Sequence, residues 1–185
     1  MAQAEKRYWD SSVFLASIKN EAGRAEVCEN ILTDARGGRC EIFTSMLTLT
    51  EVVKRRPREI PIDPATEQII TDFFRNAFIK AVPLDLIIAE RARRVIWDFP
   101  WLGARDAIHI ATALQLQIPV LEHYDDDDLG RVAGRIAQDN LVGFPVVRNP
   151  LWTGQAQLPL AELPTAMPEE PPPSRRIVLS DEEIG

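Results

Sequence analysis

The sequence predicts an α/β fold, with a mainly parallel central sheet flanked by helices in three layers. Two observations predict it. Short apolar runs alternate with longer stretches of helical periodicity along the first 150 of 185 residues. That is the pattern of strands joined by helical crossovers and covered on both faces. Acidic residues also recur where these runs end or a helix begins, at Asp10, Glu51, Asp106 and Asp125 to Asp128. Open α/β sheets place their chemistry at such ends. Both features are clearest from Leu102 to Leu129, LGARDAIHIATALQLQIPVLEHYDDDDL. Asp106 opens a helix there, followed by Ile108, Ile110, Ala111, Leu114 and Leu116 on a broadly apolar surface. Ile118, Val120 and Leu121 then form a short strand, and four aspartates close it.

Taken in order, Arg7 to Asp10 reads as an opening strand ending in an acid, with VFLASI beginning the next element. Helix-favouring sequence runs from Glu21 to Ala35 and is stopped by Gly37 and Gly38, which suit a left-handed cap. Cys40 to Thr44 is a second strand. Ser45 starts a helix, SMLTLTEVVKRR, with Met46, Leu49 and Val53 on one face, Glu51 off it, and Pro57 ending it. Arg58 to Asp63 is a loop, and Asp63-Pro64 is a helix start with an acid cap and proline in the first turn. Ile69, Ile70, Phe73, Phe74 and Phe78 follow at helical spacing. Ala81 to Leu84 is expected as the third strand, Asp85 caps a further helix that fades at Pro100, Gly130 to Gln138 is a weak helix, and Phe144 to Val147 is the last strand.

The composition, 45% hydrophobic and 26% charged, suits one soluble domain with a core of its own. No apolar run approaches bilayer length, and no apolar signal region opens the chain, so the expected location is cytoplasmic. Cys28 and Cys40 lie at no metal-ligand spacing and read as buried reduced thiols. The net charge of −7 argues against a protein that coats nucleic acid non-specifically, because phosphate binding rests on clustered Lys and Arg. It leaves room for an enzyme acting on nucleic acid, since carboxylates gathered around a divalent metal make a chain acidic and the metal reverses the local sign. Composition shifts after Pro150: residues 151–185 hold six of the 14 prolines and a net charge of −4. This marks a folded domain over 1–150 and an acidic, Pro-rich tail over 151–185, extended or disordered, whose apolar Ile177-Val178-Leu179 can dock on a partner.

The acids suggest a chemistry. Separate segments each bring a carboxylate to the end of a strand or the start of a helix. Several carboxylates around an open site suit a hard cation such as Mg²⁺, which takes oxygen ligands and keeps several waters. Such an ion orients a water, lowers its pKa and stabilises charge on a phosphodiester. Singly, each acid is equally a helix cap or a solvated charge.

The segments YWDSSVFLA, TSMLTLTEVV, LGARDAIHIATAL and VLEHYDDDDL, in that order, resemble the PIN-domain family, in particular the toxin ribonucleases of VapBC toxin–antitoxin pairs. The resemblance covers roughly Lys6 to Arg148, and LGARDAIHIATA is its most specific part. It implies a PIN-like nuclease domain with a parallel sheet flanked by helices and an acidic cleft holding Mg²⁺ or Mn²⁺. It also implies RNA cleaved by metal-activated water, a small antitoxin partner and a homodimer. Carried over residue by residue, Asp10, Glu51, Asp106 and Asp125 are the first to fourth acids, all catalytic and metal-binding, and Ser12 helps position Asp10. The chain departs from the family in placing His123 where a Thr or Ser is usual, and in an aspartate run one residue longer, so that Asp127 or Asp128 is an alternative fourth ligand.

His109, one helical turn after Asp106, reads as a hydrogen-bonded structural histidine; His123 stands closer to the acids. Lys54, Arg55, Arg56, Arg58 and Arg105 are candidate contacts to an RNA backbone, while Trp97, Phe99 and Trp101 are expected to pack rather than stack on bases. Two other functions share part of this pattern. A haloacid dehalogenase-type phosphatase needs a second acid two residues after the first, where this chain has Ser12. A binding or scaffold module on the same fold would not need the full set of four acids.

Overall fold

The computed structural model describes residues 4–52, 64–139 and 143–154. The described strands form one sheet of five, β1 (Glu5–Trp9), β2 (Cys40–Ser45), β3 (Ile79–Val82), β4 (Val120–Glu122) and β5 (Val146–Arg148), in the order β3-β2-β1-β4-β5, with every neighbouring pair parallel. The order reverses at β1, which lies between β2 and β4. The carboxyl ends of β1 and β4 therefore border the crevice where such sheets take their ligands.

The helices fill two layers. On one face lie α1 (Ser11–Ile18), α2 (Ala25–Arg36) and α4 (Pro64–Phe74), which bury Val13, Phe14, Ile18, Cys28, Ile31, Leu32, Ile70 and Phe74 against Trp9 and Ile42. On the other, α5 (Leu86–Asp98), α6 (Ala104–Gln115) and α7 (Asp128–Asp139) bury Ile88, Val95, Ile110, Leu129 and Val132 against Tyr8 and Leu121. Tyr8 and Trp9 are adjacent yet belong to opposite cores, as the pleat requires. Both are completely buried. Phe14 anchors the first core with ring contacts to Trp9 at 5.3 Å and Phe74 at 5.0 Å, and its truncation to Ala would cost about 3–5 kcal/mol. Cys28 and Cys40 are free and buried, and burial pushes their thiols up to about 12 and about 11, so both stay protonated and inert.

Several expectations move. The short helix α3 (Thr48–Glu51) buries Thr48, with Val52 after it, while Met46 and Leu49 are 46% and 41% exposed. Its inner side is defined by a hydroxyl pair, Thr44 and Thr48 at 2.7 Å, so hydrophobicity marked the wrong face. Val53 and the rest of that predicted helix lie outside the described residues. The helix from Pro64 ends at Phe74, because the Asn76 amide bonds back to the carbonyls of Phe73 at 2.7 Å and Asp72 at 3.3 Å. Phe78, expected on that helix, lies in the turn after it, and the third strand comes earlier than expected, at Ile79–Val82 instead of Ala81 to Leu84. Asp85 caps α5 as expected, accepting from the Ile88 N–H at 2.8 Å.

The described chain continues past Pro150. The Leu151 carbonyl accepts from Arg7 at 2.6 Å, and the Trp152 indole donates to Asp34 on α2 at 3.0 Å. Among the described residues, no helix is long and apolar enough to cross a membrane.

Candidate functional site

β1 ends in Trp9, and its N–H···O pairing extends one residue further, from the Asp10 N–H to the Glu122 carbonyl at 3.1 Å. Asp10 then caps α1. A single oxygen, Oδ1, accepts from the Ser12 N–H at 3.1 Å, the Ser12 hydroxyl at 2.6 Å and the Val13 N–H at 3.3 Å. Its other oxygen, Oδ2, has no hydrogen bond among the described residues. Ser12 acts in two directions, because the same hydroxyl accepts from the Tyr124 N–H at 2.7 Å. It thereby ties the start of α1 to the loop after β4 that carries the aspartates.

Glu51, the last residue of α3, is half-buried and held from two sides. His109 Nε2 lies 3.2 Å from Oε2, and an Arg105 guanidinium nitrogen lies 3.6 Å from Oε1. His109 is itself buried, with Nδ1 2.9 Å from the Tyr8 hydroxyl. Burial pushes the Tyr8 phenol far up, so it keeps its proton. The Nε2–H is thus directed at Glu51, with Nδ1 facing the Tyr8 hydroxyl. The hydrogen-bonded histidine expected from the sequence is therefore present, and its partner is a candidate site acid.

Asp106 stands in the first turn of α6, near the positive end of its dipole. A methyl added at Gly103 would sit 3.2 Å from Asp106 Oδ2 and 3.9 Å from Asp128 Oδ2, so α6 and α7 bring those two carboxylates to a common point. Asp125 is half-buried and accepts from the Asp127 N–H at 2.9 Å. Asp126 and Asp127 are exposed.

Electrostatics tie these groups together. Burial pushes Asp10 up to about 6, with His109, Ser12 and the Val13 N–H opposing and the charge of Asp125 adding. Burial also raises Asp106, His109 opposes, and the charges of Asp125, Asp128 and Glu51 add. Glu51 is lowered, because His109, Ser11 and Arg105 together outweigh its burial, the largest single influence. Asp10, Glu51, Asp106, Asp125 and Asp128 thus feel one another at one end of the sheet. Among the described residues, no three His, Cys, Asp or Glu side chains are close enough to enclose an ion unaided. The donors are nevertheless all hard carboxylate oxygens that repel one another. This set fits a divalent ion that keeps part of its water shell.

The structure also places His123 and changes one expectation, at Trp97. His123 is buried, with its backbone N–H on the Arg148 carbonyl at 3.0 Å, and burial pushes its imidazole down against Asp125 and Asp126. Trp97, expected to pack, is 62% exposed, with the Arg93 guanidinium 5.4 Å over its ring. Phe99 is buried as expected, and Trp101 is half-buried. Lys54, Arg55, Arg56 and Arg58 lie outside the described residues.

No curated protein matches the chain in sequence. Among solved structures, a toxin–antitoxin complex from Klebsiella pneumoniae is 18% identical, matching 78% of this chain and 98% of that one with a TM-score of 0.49. Mycobacterium tuberculosis VapC20, a sarcin–ricin loop cleaving toxin, is 15% identical over 68% of this chain and 94% of its own, with a TM-score of 0.52. The likeness to VapC20 is one of fold. The PIN domain family itself matches residues 7–135, and the chain belongs to that family.

Proposed function

We propose that this chain is a metal-dependent endoribonuclease, the toxin of a type II toxin–antitoxin pair, hydrolysing RNA phosphodiester bonds. The observation that supports it is the group of carboxylates from α1, α3, α6 and the β4–α7 segment, mutually coupled at the carboxyl end of the sheet in a PIN-family chain. In this reading Asp10, Glu51, Asp106 and Asp125, with Asp128, hold Mg²⁺ or Mn²⁺. A bound ion lowers the pKa of its water and neutralises charge on the attacked phosphate. The protein's own part is to hold the ligands still. Ser12 and the first turn of α1 fix one oxygen of Asp10, leaving the other for the ion. Tyr8 and His109 fix Glu51 from the core side. Arg105, largely exposed beside Glu51, is placed to meet a phosphate.

A small antitoxin partner and a homodimer belong to the same reading. The exposed apolar side chains of Leu86, Ile87 and Trp97 on α5, 72%, 54% and 62% accessible, supply surface for such contacts. Light scattering checks the dimer, and relief of growth arrest by a co-expressed antitoxin checks the partner.

The central test is cleavage of end-labelled RNA by the purified full chain. Mn²⁺ or Mg²⁺ should support cleavage and chelator should stop it. Glu51→Gln and Asp106→Asn should each reduce it by more than about 100-fold, beyond the loss that follows removal of a ligand's outer partner. Cleavage that persists through chelation and both substitutions overturns the metal mechanism. A chain that cuts no RNA across a broad substrate set would be a binding or scaffold module on the PIN fold.

A further inference from the structure

Beside the acids lies a cleft of about 470 Å³ lined by Trp101, Arg131, Gly134 and Arg135. The chain makes it adjoin the carboxylates. Trp101 is two residues before Gly103, which borders Asp106 and Asp128, and Arg131 is one helical turn beyond Asp128 on α7. The chemistry of the cleft is the reverse of its neighbour's. The Arg131 guanidinium lies 4.1 Å over the Trp101 ring and makes no ion pair among the described residues. Arg135, on the same helix, is paired to Asp139 at 2.6 Å. An exposed pair of that kind is weak and yields to a phosphate. The Trp101 indole N–H has no acceptor among the described residues. Gly134 leaves the wall open, since a methyl there would meet nothing within 4 Å.

We propose that this cleft is a subsite for single-stranded RNA: one unpaired base stacks on the Trp101–Arg131 pair, and the adjoining phosphate is held by Arg131 and Arg135. The inference rests on the nuclease reading and deepens it, because a strand anchored here carries a neighbouring phosphodiester to the carboxylates. Unpaired bases stack on aromatic rings and guanidinium planes, and guanidinium forks match phosphate. Among the described residues no aliphatic side chain lines the cleft, which disfavours an apolar protein anchor. The stacking requirement disfavours duplex RNA, whose bases are already stacked.

The test measures anisotropy of a short fluorescein-labelled single-stranded oligoribonucleotide bound to the full chain in chelator at several salt concentrations, followed by cleavage kinetics with Mn²⁺. Arg131→Gln and Arg135→Gln, both exposed positions, should each weaken binding about tenfold and lower the salt slope by about 1. Their cost in cleavage should fall on KM. Trp101→Leu should weaken binding with the slope kept, and Arg75→Gln, removing the same charge from the turn after α4, should bind as the wild type does. Unchanged affinity in both arginine variants overturns the subsite, whether or not the wild type cuts RNA. Weakened binding in a chain that cuts nothing upholds the subsite and overturns the nuclease reading instead.

Discussion

Asp10 is both a helix cap and a candidate ligand, and the two roles explain its protonation. As a cap it is buried beneath the end of β1, and burial lifts it from an ordinary 3.8 to about 6. Between those values the folded chain keeps a proton that the unfolded chain has released, so stability falls as pH rises through that window. The full loss, about 3 kcal/mol from the shift, is present above pH 6. Asn caps a helix about as well as Asp, so Asp10→Asn should be at least as stable as the wild type at neutral pH and show a shallower fall between pH 4 and 6, with the share from Asp106 and Glu122 remaining. Urea denaturation at the two pH values checks this. Mn²⁺ should stabilise the wild type above pH 6 and the variant much less. An equal metal response would remove Asp10 from the ion's ligands. At this scale the acids were legible because they stand at element ends. The link from His109 to Glu51 was not, because 58 residues separate two groups that only folding brings to 3.2 Å.

Elements were legible where a cap or stop residue marks the boundary, as Asp85 before α5 and Gly37 after α2, although α2 begins at Ala25 and not at the expected Glu21; they were misplaced where a polar contact sets the boundary. Thr44 with Thr48 turned α3, and Asn76 closed α4. The start of α6 is a case where the absence of a side chain matters. Its first turn has no side-chain cap, and Gly103 precedes it with φ −64 and ψ 150, a conformation open to any residue. Alanine there is therefore unstrained in the backbone, and by restricting the unfolded chain it should leave stability within about 1 kcal/mol of the wild type or raise it. Its methyl, however, would press on Asp106 Oδ2 at 3.2 Å, closer than side chains comfortably pack. Gly103→Ala should thus cost about tenfold in Mn²⁺ affinity by calorimetry, the lower end of what disturbing a ligand's support costs. Unchanged Mn²⁺ affinity would place Asp106 outside the ion's reach.

Across the whole molecule, acids of identical appearance in sequence do different work, and only the surroundings separate them. Glu122 lies three residues before Asp125, yet it is fully buried and paired inside the fold. Its Oε1 takes Arg7 at 2.5 Å and its Oε2 the Trp9 indole at 2.8 Å, while the Leu151 N–H lies 3.4 Å away. Burial pushes its carboxyl up even against the guanidinium. One side chain thereby joins β1, β4 and the chain leaving β5, and its own carbonyl receives the Asp10 N–H. Removing it strands the Arg7 charge in a space that excludes water, a loss of about 3–5 kcal/mol, whereas replacing both partners by apolar groups strands no charge. Glu122→Ala should therefore lower unfolding free energy by that amount in urea, and Arg7→Met with Glu122→Leu should recover much of it. A single-variant loss below about 1 kcal/mol, the range of an exposed pair, would mean that the strands and the chain after β5 are held without this carboxylate.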